Sequence, residues 1–75
     1  MVEDEITRLI GEAKEHLLNG DKDKAKALLI KAVRKAEEES MNASGFEKFK
    51  YTMLINQINS MIKAITSEEE NEQQG

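Results

Sequence analysis

The segment Ala13 to Ala36 carries the signature of a helical hairpin, and nothing else in the chain restricts the fold as strongly. Apolar residues recur at spacings of three and four on both sides of Asn19-Gly20-Asp21. Gly20 can take the left-handed conformation that ends a helix, and Asp21 is a favoured N-cap for the next one. So short a hinge returns the second helix antiparallel to the first, and each must bury its stripe against the other. The first helix is expected over residues 4–19, where Ile6, Leu9, Ile10, Ala13 and Leu17 form one narrow stripe with room for one neighbour. Asp4 and Glu5 suit the positive end of its dipole.

The second helix is expected over 22–39. Its apolar residues Ala25, Leu28, Leu29, Ile30, Ala32, Val33 and Ala36 spread over about 200° of arc, which implies two neighbours. Ala25, Leu28, Ala32 and Ala36 should face the first helix, where small side chains allow close approach. Leu29, Ile30 and Val33 should turn toward a third helix. Acidic Glu37, Glu38 and Glu39 are poorly placed at the negative end of a dipole, so a loop is expected from Ser40.

Ser44-Gly45-Phe46-Glu47 has the spacing of a capping box, which would open a third helix over 45–66. Tyr51, Leu54, Ile58, Met61 and Ile65 make a seam of seven-residue period, flanked by Ile55 and Ile62. From Ser67 onward no apolar residue remains to offset the entropy of ordering, so residues 67–75 are expected to be a disordered acidic tail. The expectation is an all-α chain: an antiparallel three-helix bundle over 1–66, followed by that tail.

Composition narrows function mostly by exclusion. With no Cys and one His among 75 residues, neither a disulfide nor a zinc site can be built from this chain. The four glycines are scattered and form no phosphate loop, so no enzyme and no cofactor are expected. His16, at the margin of the first stripe, reads as a structural edge residue. No apolar run approaches the ~18 residues of a membrane span and the first residues do not resemble a secretory signal, so a cytoplasmic protein without membrane contact is expected. The net charge is −4, but seven acids lie in Glu3-Asp4-Glu5 and Glu68 to Glu72, leaving eight acids against eleven basic residues between them. This small acidic protein therefore has a basic body.

Two groups of residues are candidates for function. Phe46, Phe49 and Met53 project roughly 100° away from the seam of the third helix. They either pack beneath the loop from Ser40 to Ser44 or form an exposed patch for a protein partner or a second copy. Lys24, Lys31, Arg34 and Lys35 share the outer face of the second helix and could meet phosphate, although no aromatic residue is interleaved for base stacking.

The hairpin resembles a tetratricopeptide repeat. Leu9 falls at that pattern's large aromatic position, Ala13 at its small one, His16 at the tyrosine, Ala25 at the invariant small residue, Leu29 at the aromatic and Ala32 at the last alanine. Glu12 stands where a leucine is expected and Glu37 where the proline is, and no second repeat follows. A single such hairpin followed by a long third helix also resembles the microtubule-interacting and trafficking domain. That resemblance implies a partner's amphipathic segment docked in a groove beside the third helix.

The leading expectation is thus a non-enzymatic protein interaction module that binds a helical peptide or a protein surface beside its third helix. The first alternative is a small nucleic-acid-associated regulator using the basic face of the second helix. A further alternative is a self-associating helical protein, a homo-oligomer joined through the third helix, or a small viral or plasmid-borne inhibitor of a host protein.

Overall fold

The computed structural model describes the backbone of residues 2–74 and the side chains of residues 5–72. Those residues form three helices and no strand: α1 (Val2–Leu18), α2 (Lys22–Met41) and α3 (Gly45–Gln74). None of them is long and apolar enough to cross a membrane.

The hinge folds as its residues dictate. Gly20 has φ of +81°. The Gly20 amide donates to the Leu17 carbonyl at 3.1 Å and the Asp21 amide to the His16 carbonyl at 2.8 Å, the paired bonds of a Schellman motif. Asp21 then caps α2 by accepting from the Lys24 amide at 3.5 Å. Its other carboxylate oxygen lies 4.0 Å from His16 Nδ1, which makes His16 the half-exposed edge residue expected of it.

Helix α2 packs against both neighbours, while no Cα of α1 lies within 8 Å of one in α3 among the described residues. The core is made by Ile6, Leu9 and Ala13 of α1, Ala25, Leu29, Ala32 and Ala36 of α2, and Tyr51, Ile58 and Ile65 of α3. Ala25, Ala32 and Ala36 of α2 are fully buried, so its backbone approaches its neighbours closely. Two ion pairs fix its orientation. Lys35, on the flank with Leu28 and Ala32, lies 3.5 Å from Glu5 of α1. Lys26, on the flank with Val33, lies 2.6 Å from Glu69 of α3.

Four details depart from the sequence reading. Ile30, expected to turn toward α3, is 41% exposed, because it lies farther round α2 than Lys26 and past the contact. Helix α2 continues to Met41 rather than stopping at 39: the Asn42 amide donates to the Glu39 carbonyl, and its side-chain amide to that of Glu38, so the last turn is satisfied. The capping box at Ser44 is not formed; Gly45 takes a φ of +61°, which reverses the chain between Ser44 and the helix it was to cap. Finally, α3 passes the boundary expected at 66 without a break and continues to Gln74, where a disordered tail was expected from 67. Its last turns are held by charge rather than apolar area, since Glu68, Glu69 and Glu72 meet Lys22 and Lys26 at the start of α2. Residue 75, the end of the expected tail, lies outside the described residues. At ~1.5 Å per residue, α3 spans the whole 45 Å length of the molecule.

Candidate functional site

Because α1 and α3 do not close on one another, the surface between them is open. At the N-terminal end of α3 the opening is a groove of about 410 Å³. Thr7 of α1 forms one wall, and the opposite side and floor come from Phe46, Phe49, Lys50, Tyr51, Met53, Leu54 and Gln57 of α3. Tyr51 is buried and Leu54 half-buried, so the floor is continuous with the core.

The three residues singled out from the sequence are brought together here. Phe46 is 77% exposed, Phe49 58% and Met53 49%, so they lie on the surface and not beneath the loop. Their spacing of three and four places them on one side of the first turns of α3, and the two rings are 6.4 Å apart with planes tilted by 38°. Three large apolar side chains left in water beside an apolar floor form a surface that gains free energy when covered.

Toward the C-terminal end of α3 the same seam opens again, as a groove of about 350 Å³ lined by Leu17, Lys22, Met61, Ala64, Ile65 and Glu68. Lys22 closes its far end by bonding Glu72 and lying 3.5 Å from Glu68. The bond to Glu72, reinforced by the charge of Glu68, raises the Lys22 ammonium above the ordinary lysine value. Glu69 does the same for Lys26, and Lys26 in turn holds the Glu69 carboxyl below the ordinary carboxylate value. Sequence reasoning missed this cluster because Glu68 to Glu72 read as a charge run. The usable signal was the spacing of one and three among Glu68, Glu69 and Glu72, which gathers them on one helical face.

The basic residues of α2 are less unified than their sequence spacing suggested. Lys24 lies 3.6 Å from Asp21, and half-buried Lys35 is turned to Glu5 of α1. Only Lys31 and Arg34 stand exposed and without an ion pair among the described residues. Among the described residues no cluster of three His, Cys, Asp or Glu side chains is arranged to hold a metal ion. No family model, curated protein or solved structure matches the chain.

Proposed function

We propose that this chain is a non-enzymatic interaction module, and that it binds a helical segment or a protein surface in the groove between the start of α3 and α1. The observation that carries the reading is the exposure of Phe46, Phe49 and Met53 at the rim of an apolar groove whose floor is the core itself. An amphipathic helix laid there would place its apolar ridge on Leu54 and Tyr51 and its flanks on Thr7, Lys50 and Gln57. Such an occupant is also what the resemblance to the microtubule-interacting and trafficking domain implies. The nucleic-acid reading has less behind it, because Asp21 and Glu5 already engage two of its four cations.

The test is a selection from a displayed library of amphipathic helical peptides, with the bound site mapped by amide chemical shifts. Enriched peptides should shift Thr7, Lys50 and Leu54, and Phe49→Ser should abolish binding while leaving the melting midpoint within a few degrees. Enriched peptides that map to α2, or a Phe49→Ser variant that unfolds, would overturn the reading.

A further inference from the structure

We propose that a second copy of this chain docks along the outward face of α3, antiparallel to it, so that the dimer is joined by an α3 to α3 contact. This rests on the reading of Phe46, Phe49 and Met53 as a binding surface and names their occupant.

The outward face has an unusual chemistry. Over its whole length, residues within about 100° of arc carry no charge, although 35% of the chain is charged. Its first half is large and apolar, with Phe46, Phe49 and Met53. Its second half is small or short and polar, with Ser60, Ala64, Ser67 and Asn71, all exposed. Depletion of charge around exposed aromatic and methionine side chains is the compositional mark of an interface centre. For a chain of net charge −4, it is also what lets two copies approach.

An antiparallel register centred on Asn59 makes this face complementary to itself. Met53 then meets Ala64 of the second copy, and Phe49 falls between its Ser67 and Asn71, so each large side chain lies over a short one. On one flank Lys50 and Glu68 are each nine residues from Asn59, so each faces the other across the two-fold axis. A parallel register would instead bring Phe46 onto Phe46, Lys50 onto Lys50 and the glutamate-rich ends together. The contact is isologous, as a two-fold dimer requires.

Sedimentation equilibrium from micromolar to millimolar concentration tests the dimer, and single cysteines in this cysteine-free chain test its register. The 8.5 kDa mass should double with concentration. Under oxidation Ser60→Cys, next to the axis, should link to itself. Met53→Cys should not, but should link when mixed with Ala64→Cys. Self-linking of Met53→Cys would overturn the antiparallel register. A chain that stays at 8.5 kDa to millimolar concentration overturns the second copy as occupant, and if selected helical peptides still bind at Phe49, the groove reading stands without it. Doubling of the mass with no peptide binding would support the dimer and remove the peptide groove.

Discussion

Leu29 and Ile30 are chemical near-equals at adjacent positions, and the fold predicts that truncating them will have unequal consequences. Leu29 is the one large side chain of α2 that is fully buried, whereas Ile30 is 41% exposed. Leu29→Ala removes three carbons from the core, a transfer loss of about 2.4 kcal/mol at ~0.8 kcal/mol per methylene. The cavity left between three helices adds to this, giving about 3 to 4 kcal/mol within the range seen for such truncations. Ile30→Ala loses the same carbons, but only about three-fifths of their burial, or about 1.4 kcal/mol, and opens no closed cavity. The higher helix propensity of alanine returns a few tenths of that. A 75-residue domain is stable by about 4 to 11 kcal/mol, so Leu29→Ala removes a large share of the total. Urea unfolding followed by circular dichroism measures both, with the slope against urea unchanged if only the native state is affected. The thermal midpoint should fall by more than ~12 °C for Leu29→Ala, at ~4 to 8 °C per kcal/mol for domains of this size. Equal losses for the two variants would mean that α2 is rotated about its axis relative to the packing described.

Ala32, fully buried on the flank that faces α1, should reject a larger side chain: Ala32→Leu is expected to cost about 1 to 3 kcal/mol in denaturant unfolding, while Lys31→Leu on the exposed face is nearly neutral. Gly20 and Gly11 should respond oppositely to alanine, although an added Cβ would meet nothing within 4 Å at either. At Gly20 the left-handed φ makes Gly20→Ala destabilising by about 1 kcal/mol, whereas Gly11→Ala, inside exposed helix, should stabilise by about 0.5 to 1 kcal/mol. The Lys26 to Glu69 pair should appear in the pH dependence of melting. The Glu69 carboxyl is held below its ordinary value in the folded chain, so its contribution is present above the unfolded carboxylate pKa and lost as pH falls through the folded one. Lys22 and Lys26 are raised, so theirs is present below the unfolded lysine pKa and lost as pH rises through the folded values. Glu69→Gln should flatten the acid limb, and an unchanged limb would show that the pair forms without stabilising the fold.

How much of the fold could be read from the sequence followed the strength of local physics. The hinge was legible because a left-handed position demands glycine and an N-cap demands a short acceptor, and both demands fall on adjacent residues, Gly20 and Asp21. The burial of Ala25, Ala32 and Ala36 was legible from their common face. The end of α3 was not, because its last turns depend on Lys22 and Lys26, more than forty residues away in sequence, and a run of glutamates alone reads as disorder. The start of α3 misled for the opposite reason: Ser44 and Glu47 have the spacing of a capping box, but the turn at Gly45 overrides it.

The candidate site was legible only in its apolar half. Phe46, Phe49 and Met53 stood out because they break the seam of buried residues, and hydrophobic spacing is sensitive to such breaks. Ser60, Ala64, Ser67 and Asn71 gave no comparable signal, since small or short polar residues on an exposed helix are indistinguishable from ordinary solvated surface when only hydropathy is followed. What separates them from such a surface is the absence of charge on their arc of α3. That absence becomes visible once the structure shows which arc α2 leaves uncovered. The same uncovered arc explains why the chain can keep three large apolar residues in water and still fold: Tyr51, Ile58 and Ile65 on the covered arc complete the core without them. The proposed association would therefore draw on a different face of α3 from the one that folding uses. Variants on the covered arc should move the unfolding transition at every protein concentration, whereas Phe49→Ser or Ala64→Lys should remove only the concentration dependence of the melting midpoint. A Phe49→Ser chain whose melting at high dilution falls as far as that of Leu29→Ala would show that the two faces are not separate.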